Sequence, residues 1–283
     1  MSGPALKVHI TGIGLLGPGL ADWATGRALL ADAGGPANPA AWQHAATVVP
    51  PPQRLPATER RRAGTVVKAS IVVADQALAM AGLDPATLAT VFTSSTGDPA
   101  NCHLLCEALA APERLVSPTR FTNSVHNAPA GYWHIATASR APSTSLAAFD
   151  ASFCAGLLEA AVQCQATQAP VLLVACDVPY PEPLHAVRPV ADVFAVALVL
   201  APGAGVPAMS LQVTADADAT PCTHAGLEAV RQGIPAARAL PLLQALARTG
   251  EASLVLEGLP GMALQVLVQA QVHLPLQMQT GAP

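Results

Sequence analysis

Apolar positions along the chain alternate between short β-branched runs and stretches with a period near 3.6, the pattern of strands interleaved with helices. Val8–Ile13 is the first β-type run, ending among Gly12, Gly14 and Gly17, and Ala21–Leu30 then takes helical spacing. Pro36 to Pro56, with Pro50-Pro51-Pro52 inside it, predicts an irregular surface loop. A long helix is predicted over Arg60–Gly82, with Val66, Val67, Ser70, Val73, Ala74, Ala77 and Ala81 on a small-residue stripe and Gly82 as its stop. The series continues as strand Thr90–Ser95, helix Asn101–Ala111, helix Ala128–Ser139, strand Thr144–Phe149, helix Ala155–Gln165, and strands Val171–Cys176 and Val193–Leu200. Strands joined by crossover helices imply an α/β fold built on parallel pairing.

Beyond Pro202 the pattern restarts on a smaller scale. Met209–Ala215 reads as a strand, Gly226–Gln232 and Ala239–Arg248 as helices, and Ser253–Glu257 with Met262–Gln269 as a hairpin turning at Gly258–Gly261. This gives two parts, residues 1–201 and 202–283, the second a shortened copy of the first in architecture but without a residue-level repeat.

Composition narrows the partners. The 283 residues are 52% hydrophobic and carry a formal net charge of −4. A chain this apolar is not disordered, and without a basic face it offers nothing to nucleic acid or to an anionic membrane. The basic run Arg60–Arg62 reads as a solvated helix start. The longest apolar runs, Pro170–Cys176 and Val193–Ala201, fall well short of the roughly 20 residues a spanning helix needs and read as buried strands. No export signal is visible at Met1–Leu6, and six cysteines at 102, 106, 154, 164, 176 and 222 suit a reducing, cytoplasmic setting. Cys102 and Cys106 with His103 invite a zinc reading, but no second ligand pair exists, so neither metal nor cofactor is expected.

Several segments, in order, carry a resemblance. Val8-His9-Ile10-Thr11-Gly12-Ile13-Gly14, the helix end Ala79-Met80-Ala81-Gly82-Leu83, Val91-Phe92-Thr93-Ser94-Ser95-Thr96-Gly97 and Val116-Ser117-Pro118-Thr119-Arg120-Phe121 resemble landmarks of the beta-ketoacyl synthases, of thiolase-like fold. Ser124-Val125-His126-Asn127-Ala128-Pro129-Ala130-Gly131-Tyr132-Trp133 resembles the chain-length factors of aryl-polyene type pathways. The resemblance is good over residues 6–201 and looser beyond. It implies a layered α-β-α-β-α architecture, with a complete N-terminal half and a shortened C-terminal half, working as a dimer.

The resemblance also implies a chemistry: a Cys thiolate at a buried helix start takes an acyl chain from an acyl carrier protein, and His and Lys of the second half assist decarboxylation. Here that helix start reads Asp150-Ala151-Ser152-Phe153-Cys154-Ala155-Gly156-Leu157. Matching Gly156-Leu157 to the family puts Phe153 at the nucleophile position, and a phenyl ring cannot be acylated. Cys154 is turned about 100° away around the helix and reads as a packed cysteine, Ser152 as a helix cap. Beyond position 200 only His224 and His273 remain, with no lysine, so the decarboxylation groups are missing. His224 reads as a cap-region surface residue and His126 as part of a structural loop near the dimer contact.

The expectation is a catalytically silent chain-length factor that pairs with an active ketosynthase, reaches acyl carrier protein through the complex and shapes its acyl tunnel. Cys102, Leu105, Cys106 and Leu109 share one helix face and are candidate tunnel residues, with ordinary core packing as the other reading. Phe153 would fill the unused acyl pocket, and Thr144, Leu146, Ala148, His126 and Asn127 would lie at the subunit contact, strand Thr144–Phe149 pairing antiparallel across the two-fold axis. A plain scaffold in a larger assembly is a weaker reading, and two others remain. One is an acyltransferase or thioesterase-like enzyme using Cys154 or Ser152 on acyl-carrier thioesters. The other is a dinucleotide-binding turn at Gly12-x-Gly14-x-x-Gly17, which lacks an acidic residue on a strand end, since Asp32 falls at a helix terminus.

Overall fold

The computed structural model describes residues 5–31, 42–215 and 217–270; Asp32, His273 and the first part of the Pro36–Pro56 loop lie outside them. In chain order the elements are β1 (Leu6–Leu16), α1 (Trp23–Ala31), α2 (Ala57–Arg62), α3 (Thr65–Ala81), β2 (Ala89–Thr93), α4 (Pro99–Ala110), α5 (Pro118–Thr122), α6 (Ala128–Thr137), β3 (Ser143–Leu146), α7 (Ser152–Thr167), β4 (Val171–Asp177), α8 (Leu184–Val187), β5 (Phe194–Ala201), β6 (Ala208–Ala215), α9 (Ala225–Gly233), α10 (Leu240–Ala247), β7 (Gly250–Glu257) and β8 (Met262–Ala270). Two 3-10 turns, Phe149–Ala151 and Pro235–Ala239, lead into α7 and α10.

The strands form one sheet in the order β3-β2-β4-β5-β1-β6-β8-β7. β2 pairs in parallel with β3 and β4, while β5 runs antiparallel between β4 and β1. β4 and β5 are buried along their whole length, which is why they read as unbroken apolar runs rather than as an alternation. Leu172, Val174, Cys176, Ala195, Ala197 and Val199 point to one core, shared with α3 and α6. Val171, Leu173, Ala175, Phe194, Val196, Leu198 and Leu200 point to the other, shared with α7 and α10.

β1 is the seam of the molecule. Its first residues, Leu6 to His9, pair with β6, and from His9 onward it pairs with β5. β6, β8 and β7 therefore extend the same sheet as an antiparallel edge, in an order that repeats that of β1, β5 and β4 on a smaller scale. The 3-10 turn Pro235–Ala239 and α10 pack between β4 and β5 on one side and β7 and β8 on the other. Leu254, Leu256, Leu264, Val266 and Val268 face that inner layer, while Val213 and Leu267 point outward and are exposed. The result is the expected α/β layering with a complete first half and a reduced second half.

Gly12 and Gly14 lie inside β1, not in a turn after it. A Cβ at Gly12 would stand 2.0 Å from the Ala77 carbonyl oxygen, and one at Gly14 would stand 1.9 Å from that of Val73. The glycines let α3 lie directly on the strand, and the dinucleotide-turn reading falls with that geometry. The predicted helix Arg60–Gly82 is broken at Ala63 and Gly64, which are extended, and at Gly64 the Asp98 carboxylate occupies the space a side chain would need. Gly82 ends α3 in the left-handed conformation, as expected, its N–H donating to Leu78 O. Among the described residues no helix is long and apolar enough to cross a membrane.

Candidate functional site

The start of α7 sits where three strand ends converge. β3 stops at Leu146, short of the expected Phe149; the chain then turns through Ala148 and Phe149, and α7 begins at Ser152. Gly156 brings this helix onto the sheet, since a Cβ there would press on Thr93 and Leu173 at 2.8 and 3.0 Å. Thr93 Oγ1 donates to Ser152 O at 2.9 Å and pins the first turn to β2.

Within that turn Phe153 is 1% exposed and Cys154 3%. Burial, with the negative Glu257 adding to it, pushes the Cys154 thiol up to about 12, so almost none of it is thiolate at neutral pH. Ser152 is not the cap the sequence predicts. Its hydroxyl donates to Phe149 O at 2.7 Å and accepts from Ala148 N at 2.9 Å, because it is already the first helical residue and faces back to the turn before it.

Around this start runs an ion-pair chain that the sequence does not announce. Asp150 takes Arg188 at 2.5 Å on one oxygen and Arg238 at 3.2 Å on the other, and Arg238 reaches Glu257 at 2.7 Å. These residues come from four separate segments, so only the tertiary fold joins them. Beside them Asp177, at the end of β4, is buried and accepts from Ser95 N at 2.8 Å, Ser95 Oγ at 2.7 Å and Ser94 Oγ at 3.2 Å. Its carboxyl is raised above the usual range by desolvation, against the pull of the Ser95 and Ser94 hydrogen bonds. An acidic residue closing an apolar strand was its one visible signal.

His126 stands by the same strand ends, its Nε2 3.1 Å from Ser94 O. Asn127 is exposed at the start of α6. Thr144 and Leu146 are half-buried on β3, whose outer edge has no strand partner among the described residues, and Ala148 lies beyond the strand. His224 is the N-cap of α9, Nδ1 accepting from Gly226 N at 3.1 Å, with its ring 5.4 Å from that of Trp42. His126 and His224 thus each have a structural partner.

The predicted tunnel face lies on α4, and the core-packing reading of it is excluded. Only Pro99 and Asn101 of this helix are buried; Cys102, Cys106 and Leu109 are exposed and Leu105 is half-buried. Leu105 and Leu109 instead line an open apolar groove of about 530 Å³ with Val116, Pro118, Phe121 and Ser124. Among the described residues no group of three or more His, Cys, Asp or Glu side chains is placed to hold a metal ion; His103 pairs with Glu107 at 3.2 Å.

The family model described as "Beta-ketoacyl synthase, N-terminal domain" matches residues 35–256. Among solved structures, a ketosynthase in complex with its chain length factor from Xenorhabdus doucetiae is similar at 25% identity and a TM-score of 0.71, over 92% of this chain and 99% of that one. The ishigamide ketosynthase/chain length factor shares the fold at 15% identity and a TM-score of 0.66, over 94% of this chain and 100% of that one. A beta-ketoacyl synthase from Burkholderia phymatum does so at 12% and 0.65, over 94% and 100%. No curated protein matches the chain.

Proposed function

The chain belongs to the beta-ketoacyl synthase N-terminal-domain family, and from that premise we propose that it is a chain-length factor: a catalytically silent subunit that pairs with an active ketosynthase and shapes the acyl tunnel of an aryl-polyene or fatty-acid-like pathway. The observation that carries the reading is Phe153, buried at the helix start where a synthase needs a thiolate. An aromatic ring there can fill the acyl pocket but cannot take an acyl group. The neighbouring nucleophiles give an enzymatic reading no support. Cys154 is held as a thiol, and the Ser152 hydroxyl is committed to the backbone of Ala148 and Phe149.

A silent subunit must act through its surface. The groove at Leu105, Leu109 and Phe121 and the open edge of β3 are where we place the ketosynthase contact and the wall of the tunnel. The Cys102 and Cys106 face of α4 extends that wall, and acyl carrier protein meets the chain only through the complex. Co-expression with the ketosynthase of the same gene neighbourhood tests the pairing: the two chains co-purify as a heterodimer, and a chain that stays alone refutes the reading. Within the complex, Leu105→Trp shortens the product; an unchanged product length removes α4 from the tunnel.

A further inference from the structure

Phe149 combines strain, exposure and rigidity. Among the described residues four non-glycine positions have positive φ: Arg114, Ala138, Phe149 and Gln168. Ala138 and Gln168 are the C-caps of α6 and α7, where a left-handed residue satisfies the helix end. Phe149 stands at φ 52° on the way into a helix, where no such need exists, and its side chain is 64% exposed. Left-handed backbone is unfavourable for a bulky residue and persists only where the surroundings over-determine it.

The surroundings do so here. Ser152 Oγ ties Phe149 O and Ala148 N together at 2.7 and 2.9 Å. The Arg188 guanidinium lies 3.6 Å from the ring centroid and is itself held by Asp150, the next residue in the chain. Asp150 is held in turn by Arg238. One face of the ring is thus covered by a cation fixed in an ion-pair chain. An exposed phenyl ring gains little from burial in the isolated chain, so the contact with Arg188 is a small return there for the strain. Aromatic side chains fixed in advance are what interface anchors require: the ordering cost is already met, and burial of the ring by a partner is a net gain. The ring also follows three residues after Leu146, the end of the open edge strand.

We propose that Phe149 is an anchor of the subunit interface, seated in an apolar pocket of the ketosynthase partner while Arg188 backs its inner face. This rests on the reading of the chain as a ketosynthase partner. The test measures the dissociation constant of the purified heterodimer for wild type, Phe149→Gly and Phe149→Leu, together with the melting temperature of each isolated chain. Glycine accepts the left-handed backbone, so the Phe149→Gly chain is expected to melt no lower than wild type, or about 2–4 °C higher, yet to bind the ketosynthase at least about 30-fold more weakly. Phe149→Leu recovers part of the affinity. A Phe149→Gly chain that binds within about threefold of wild type overturns the anchor while leaving the pairing intact. A wild-type chain that binds no ketosynthase overturns both.

Discussion

Asp177 shows how a single residue can be costly and needed at once. It is buried at the end of β4, where three hydrogen bonds from Ser94 and Ser95 hold the start of the loop after β2 against the sheet. Desolvation outweighs those bonds and raises its carboxyl. A carboxyl whose folded pKa lies above the unfolded value of about 3.9 contributes most below that value, and the contribution is lost as pH rises through the folded pKa. Asp177→Asn keeps an acceptor for Ser95 N–H and removes the charge. It should match wild type near pH 4 and gain on it toward pH 7 in urea denaturation. Asp177→Ala leaves the Ser95 N–H unpaired in the interior and should cost about 1–3 kcal/mol at both pH values. An Asn variant that loses stability relative to wild type between pH 4 and 7 would contradict the assignment. Phe153 is the reverse case: the role proposed for it rests on the residue type alone, since a phenyl ring cannot be acylated.

Between elements, the β1–α3 contact is set by absences. Gly14→Ala would drive a methyl group into the Val73 carbonyl of α3 from 1.9 Å, and neither partner can yield, since β1 is held by β5 and α3 is buried along ten of its positions. The expected cost is about 3 kcal/mol or more, read from the urea midpoint; an unchanged midpoint would mean that α3 slides along the sheet. Sequence patterns located most elements here because their signals are local. β4 and β5 are apolar runs closed by Asp, Pro or Gly, and α3 ends at Gly82. What stayed hidden depends on neighbours distant in sequence. The same glycines could be read as a dinucleotide turn until α3 was seen lying on them. The helix α4 was located by its period, but a period does not say whether protein or solvent covers a face. The Asp150–Arg188–Arg238–Glu257 chain and the double pairing of β1 join segments that no local pattern connects.

For the whole molecule, exposed apolar side chains are scattered from Val48 to Leu267, and one group of them lies along a single stretch of chain. Leu109, Leu115, Phe121 and Val125 are 56%, 80%, 68% and 53% exposed, and they flank or line the groove between α4 and α5. Monomeric proteins keep such patches to a few hundred Å², and larger ones mark contacts. If this surface is the one the ketosynthase covers, removing its apolar character should leave the fold untouched and abolish the complex. The double variant Leu109→Asp, Phe121→Asp alters two side chains that contribute to neither core, so its far-ultraviolet circular dichroism and its melting temperature alone should equal those of wild type. Partner at 100 times its dissociation constant stabilises the bound chain by about 2.7 kcal/mol, which for a chain of this size is a rise of about 5–10 °C. Wild type should show that rise when ketosynthase is added, and the double variant should not, because a carboxylate buried without a partner costs more than the groove contact supplies. A double variant that keeps the full rise would move the interface elsewhere on the molecule. Loss of the rise with unchanged spectra would mean that the apolar excess of this chain serves two surfaces, a core it closes by itself and a groove that a second chain closes.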